Sequence, residues 1–129
     1  MKKKYSVFIS STFMDLESER ETIRKLVIDM GYIPLGMESF PATNEEQFSY
    51  IKKVIDDCDY YILVIGGRYG SVSDGGISYT EKEYDYAIEK GKVVLAFVHE
   101  SPGDFPAKVL DEDPQLREKL NTFRRKASN

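Results

Sequence analysis

The chain has 129 residues, 41% hydrophobic and 31% charged, which fits one globular domain with a real core. A net charge of −4 gives no electrostatic case for nucleic acid or an anionic membrane, and no apolar run approaches the ~20 residues needed to span a bilayer. With Cys58 as the single cysteine no disulfide forms within the chain, and no signal peptide is visible, so a soluble protein in a reducing, cytoplasmic setting is expected.

Residues 5–10, YSVFIS, read as the first strand, and Ser11, Thr12 and Phe13 turn the corner after it. A helix is expected over 15–30. Its apolar positions Leu16, Ile23, Leu26, Val27 and Met30 fall on one face, and Asp15, Glu17 and Glu19 suit the positive end of its dipole. Gly31 is a stop signal. Residues 32–35 form a short second strand, which Pro34 marks as an edge strand. The loop GMESFPAT, 36–43, leads to a helix over 44–58 with Phe48, Ile51, Val54, Ile55 and Cys58 inward. Residues 61–65 and 93–98 are apolar runs without alternation, the pattern of strands buried on both faces. Between them lie a Gly- and Ser-rich loop, GGRYGSVSDGGIS, and a helix over 79–90 that Gly91 ends. The loop composition predicts a mobile segment that contributes nothing to the core. A last helix is expected over 114–126, with Leu116, Leu120 and Phe123 on one side.

This alternation of strands and helices predicts an α/β fold, a three-layer sandwich around a flavodoxin-like parallel sheet of order 2-1-3-4. A fifth strand would be normal after the last helix. Either the fold uses four strands, or the chain is a single domain truncated before a fifth. Open α/β sheets bind ligands beyond the carboxyl ends of their strands, where the order reverses. That point lies between strands one and three. The cleft is therefore expected between Ser10, Ser11, Thr12 and Phe13 on one side and Gly66, Gly67, Arg68, Tyr69 and Gly70 on the other. The loop at 36–43 leaves from the same edge, which would bring Glu38 and Phe40 near a ligand.

Several chemistries are excluded. GGRYG has neither the GxxxxGK[ST] nor the GxGxxG spacing of phosphate-binding loops. Gly66 stands where a receiver domain needs an acidic residue. One His and one Cys make no metal cluster, and no nucleophile pair forms without relying on His99. Cys58 reads as a small core hydrophobe. Near the expected cleft there remain carboxylate, hydroxyl and aromatic groups, foremost Glu83, one turn into its helix. Each has a plain structural reading beside the functional one. Glu83 would complement the helix dipole, Ser10, Ser11 and Thr12 would cap the first helix, Arg68 would pair at the surface, and Tyr69 would cover the core.

The stretches VFISSTFMDLESER, GMESF, DYYILVIGGRYGS and SYTEKEYDYAIEKGKVVLAFV resemble the DUF4062 family, a TIR-like family. The resemblance runs from Val7 to Val98 through four separated motifs in order. It implies a TIR-like domain that is commonly the N-terminal part of larger NTPase- or repeat-containing proteins. In the wider TIR and nucleoside deoxyribosyltransferase group, catalytic members carry a glutamate in the helix after the third strand and a small residue four positions on. Glu83 and Ala87 fit that pattern. Classical TIR domains place a Ser/Trp-Cys run where this chain has Tyr79, Thr80, Glu81 and Lys82.

The resemblance implies an effector or signalling domain, used in defence, that cleaves the N-glycosidic bond of NAD or another nucleotide. Glu83 would serve the ribose, and NAD would be a substrate, with no cofactor required. Phe13, Phe40, Tyr69 and Tyr79 would stack on the base, and Arg68 with the Gly-rich loop would meet phosphate. The alternative is a catalytically inert module that works by self-association, in which the loop at 36–43 would also take part. Glu81, about 200° around the helix from Glu83, is expected to be solvated and silent to substitution.

Overall fold

The computed structural model describes residues 4–12, 15–36, 44–100 and 105–128. Four strands and four α-helices alternate: β1 (Ser6–Ser11), α1 (Glu17–Asp29), β2 (Ile33–Leu35), α2 (Glu45–Asp57), β3 (Tyr60–Ile65), α3 (Tyr79–Glu89), β4 (Val93–Val98) and α4 (Pro114–Ser128). The sheet is parallel throughout, in the order β2-β1-β3-β4. Pro34, which has no N–H to give, lies in edge strand β2 opposite Val7.

Side chains that alternate along β1 feed two separate cores. Phe8 faces α2, α3 and α4, where it joins Tyr61, Leu63 and Ile65 of β3, Ile51 and Ile55 of α2, Ala87 of α3, and Leu120 and Phe123 of α4. The Phe8 and Tyr61 rings stack at 5.4 Å. Val7 and Ile9 face the other way, onto Val27 and Ile23 of α1. Helices thus cover the sheet from both sides. Burying each of these side chains contributes roughly 1.5–3 kcal/mol, so the alternation in β1 fixes its register firmly.

Local chemistry sets the helix ends. Asn44 accepts from the Gln47 amide (2.8 Å) and Ser78 from the Glu81 amide (3.1 Å), which caps α2 and α3. At the far end of α2, Lys92 Nζ donates to the carbonyls of Asp56 and Cys58 (2.8 and 2.9 Å). Those carbonyls carry the negative end of the helix dipole.

Two sequence expectations need correction. In β4 only alternate residues are covered: Val94, Ala96 and Val98 pack inward, while Val93, Leu95 and Phe97 are exposed, Phe97 at 55%. α1 lies over β1, and no other described element covers this outer side of β4. Leu26 of α1 and Met30 just past its end are exposed, and the inward stripe runs from Leu16, just before the helix, through Arg20, the partly buried Ile23 and Val27. At ~100° per residue, Leu26 sits one position off that stripe.

Candidate functional site

A cleft of about 350 Å3 opens at the carboxyl ends of β1 and β2. Among the described residues, its polar wall is Ser10, Ser11, Arg20, Gly36 and Glu83. Its apolar wall comes from β2 and α2, with Leu35, Pro34, Ile51, Val54 and the outlying Tyr50. The sequence places this cleft one strand away, between β1 and β3. It lies on the β2 side because the loop after β3 fills the space beside β1.

Glu83 belongs to the buried stripe of α3 with Tyr79, Thr80 and Ala87, and it is 3% exposed. Its side chain leans toward the helix N-terminus, at the carboxyl edge of the sheet. Ser10 Oγ donates to Glu83 Oε1 at 3.2 Å. A carboxylate that only complemented a helix dipole would stay in water, so the burial of Glu83 calls for more than that. Its charge reaches its neighbours. Burial, and after it the charge of Glu83, holds the Tyr61 hydroxyl well above its ordinary pKa. Ala87, fully buried one turn on, lets α3 lie close against the sheet.

Arg20 approaches the same cleft from the opposite face. It is 3% exposed, on the inward stripe of α1. Its Nη1 donates to Ser11 Oγ (2.7 Å) and Ser11 O (3.5 Å), and its Nη2 donates to Gly36 O (3.0 Å). Burial lowers its pKa, and the Glu83 carboxylate opposes that shift. Opposite charges therefore act on each other across the rim, each held by one of two consecutive serines. Reading the charged positions of α1 as its solvent face passes over Arg20. The signal was present, since 16, 20, 23 and 27 form a helical stripe that includes it.

The loop after β3 is packed. Asp15, buried at the entry to α1, accepts from the amides of Gly67 (2.9 Å) and Arg68 (3.1 Å) and from Thr12 Oγ1. Burial raises the Asp15 pKa, and these hydrogen bonds restrain the rise. Asp111, also buried, accepts from the Tyr69 amide at 2.6 Å. The Tyr69 ring enters the core against Phe123, and its hydroxyl donates to Glu81 at 2.6 Å. Burial and that bond push the Tyr69 phenol up to about 12. Of the first five residues of the loop, Gly66, Gly67, Tyr69 and Gly70 are thus buried and Tyr69 joins the core, contrary to the expectation from composition. Asp15 had no sequence signal beyond helix-start chemistry, and Asp111 had none.

Of the residues singled out from the sequence, Ser10, Ser11 and Glu83 come together at the cleft. Thr12 turns to Asp15, and Gly66, Gly67, Arg68, Tyr69 and Gly70 do not line the cleft. Tyr79 is buried beside Phe48, with its hydroxyl toward Glu45 (3.4 Å). Phe13, Glu38 and Phe40 lie outside the described residues. Glu81 is not solvated: its side chain is 14% exposed and pairs with Lys126 as well as Tyr69. Among the described residues, no group of three or more His, Cys, Asp or Glu side chains is placed to hold a metal ion, and no helix is long and apolar enough to cross a membrane.

No curated protein matches the chain. The model of a family described as a domain of unknown function, DUF4062, matches residues 6–129, nearly the whole sequence. The strand order, the motifs and this match agree, and the chain belongs to the DUF4062 family.

Proposed function

We propose that this is a TIR-like effector or signalling domain that cleaves the N-glycosidic bond of NAD or a related nucleotide, with Glu83 as the catalytic residue. The observation that carries the reading is a carboxylate, buried to 3% exposure, in the wall of a cleft at the ligand-binding edge of a parallel sheet. In the reaction the C1′–N bond breaks and its electron pair leaves with the base. Water then adds at C1′ and gives up a proton. Positive charge develops on the ribose in between, and a preorganised carboxylate beside it stabilises that charge. Nicotinamide leaves as a neutral molecule, so no strong general acid is needed. The apolar wall from β2 and α2 would exclude water from the base.

The test is to incubate the protein, dilute and artificially clustered, with NAD and common nucleosides, and to measure free base. Release by the wild type and its loss in Glu83→Gln support the reading. No release under any condition removes it.

A second reading, self-association without catalysis, draws on the exposed face of β4. Val93, Leu95 and Phe97 form an apolar strip on an edge strand, a surface that isolated domains seldom leave open. Sedimentation of the wild type against a Leu95→Glu, Phe97→Glu double variant tests it. A monomer at all concentrations would end it.

A further inference from the structure

The carboxylate alone does not account for the cleft. Arg20 is a buried cation whose acceptors among the described residues, the Ser11 hydroxyl and the carbonyls of Ser11 and Gly36, are all neutral. Burying a guanidinium is costly, and hydrogen bonds to neutral groups offset only part of that cost. A guanidinium carries five N–H donors in a planar fork. The bonds to Ser11 and Gly36 leave Nε–H and one N–H of Nη2 with no acceptor among the described residues. The group nevertheless lines the cleft. Glu83 acts on this cation only across the rim and accepts none of its hydrogen bonds, so donors to spare at an open wall equip Arg20 to receive an anion from outside.

The position of that anion follows from β1. Ser10 and Ser11 are consecutive strand residues, so their side chains leave on opposite faces of the sheet. Ser10 holds Glu83 on one face, and Ser11 holds Arg20 on the other. A ligand lying over the rim meets the carboxylate on one flank and the guanidinium on the other. An anionic group would be repelled by Glu83 and drawn to Arg20, which sets the direction of the ligand. The volume bounds its size. At about 350 Å3 the cleft is near the bottom of the ~300–1,000 Å3 range of ligand pockets. That suits one nucleotide unit better than two joined end to end.

We propose that Arg20 is the specificity-determining residue of this cleft, binding the phosphate of a ribosyl-base 5′-phosphate while Glu83 faces its ribose. The inference rests on reading the cleft as a nucleotide site and adds which half of a nucleotide it demands. Arg68, which the sequence offers for phosphate, is not part of the cleft lining.

The experiment compares two probes that differ only in the phosphate, nicotinamide riboside and nicotinamide riboside 5′-monophosphate. Their binding to the Glu83→Gln chain, chosen to block turnover, is measured by calorimetry or ligand-observed NMR. One charge-assisted contact predicts that the monophosphate binds about tenfold to a hundredfold more tightly. Raising the salt concentration should leave most of that preference, because a buried pair is poorly screened. Adding Arg20→Gln should abolish the preference, and Arg20→Lys, which keeps the charge but not the fork, should reduce it. Equal binding of the two probes overturns the role of Arg20 and leaves the nucleotide reading standing. Binding of neither overturns that reading, and this inference with it. If Arg20→Gln does not fold, the ratio in the Glu83→Gln chain decides alone.

Discussion

Two regions at the carboxyl edge of the sheet each bury charge, and they use it in opposite ways. Beside β3, the Asp15 carboxylate is tied to its own chain by the Gly67 and Arg68 amides and the Thr12 hydroxyl, and the glycines after β3 pack against it. A methyl group on Gly66 would lie 2.7 Å from Asp15 Oδ2 and 2.7 Å from Leu16 Cδ2. One on Gly67 would lie 2.5 Å from Leu110 Cδ2. A larger residue at either position would have to push these side chains aside. Beside β2, Glu83 and Arg20 line an open cleft of about 350 Å3. A glycine-rich loop after a strand is therefore not by itself a cradle for phosphate. What separates a fastening from a site is whether the buried charge is closed in by its own chain.

The largest expected effect lies at the open region. If the proposed chemistry holds, Glu83→Gln lowers the rate of base release by roughly a hundredfold or more, measured under single-turnover conditions, as the loss of one preorganised electrostatic interaction does. Its thermal midpoint should stay close to that of the wild type. A large drop in both would mean that Glu83 belongs with the fastenings.

At the closed region the readout is stability. Gly67→Ala forces a Cβ against Leu110 and Phe105, and a loss of roughly 1–3 kcal/mol is expected in urea unfolding. An unchanged midpoint would mean that the loop yields freely and is less tightly fastened than the distances imply.

Asp15 separates charge from hydrogen bonding. Asp15→Ala leaves the buried Gly67 amide and the partly buried Arg68 amide without their acceptor and should cost roughly 1–3 kcal/mol. Asp15→Asn keeps an acceptor and should cost less. The pH dependence has a definite sign. The folded pKa lies above the ordinary value of 3.8, so the folded state holds the proton more tightly than the unfolded one. The contribution of Asp15 is then fully present below pH 3.8 and declines as pH rises through the folded value. Wild type minus Asp15→Asn, followed by unfolding between acid and neutral pH, should fall across that window. A rise would mean that the amide bonds outweigh burial.

The smallest effect is expected at Glu81. Glu81→Gln keeps an acceptor for the Tyr69 hydroxyl but weakens the pairing with Lys126, for a loss of about 0.5–1.5 kcal/mol. It should leave activity unaltered. Reduced base release at unchanged stability would tie the two regions together.

Much of the fold is legible in the sequence. Short apolar runs and helical stripes place all four strands and four helices, and the alternation of elements gives their order in the sheet. The exposed face of β4 is not legible, because VVLAFV reads as buried throughout and only the helices packed beside it decide which side is covered. The site is half legible. Ser10 and Ser11 end a strand and Glu83 lies one turn into its helix, at the edge of the sheet where topology brings residues together. Arg20 and Asp15 are charged residues inside or beside a helix, where the default reading is solvent, and their burial depends on partners 9 to 53 positions away.

The paired serines of β1 also fix how this gene can change. A strand behaves as a ribbon with two reading frames, and Ser10 and Ser11 occupy one each. Deleting a single residue between Val7 and Ser10 would exchange the frames for everything upstream of the cut. The residues that fill the core on the α1 side would face α2 and α3, and the reverse. Substitutions at the rim can be taken one at a time, but insertions and deletions here cannot. Length variation among relatives of this domain should therefore collect in the loops and be absent from the run between Val7 and Ser11.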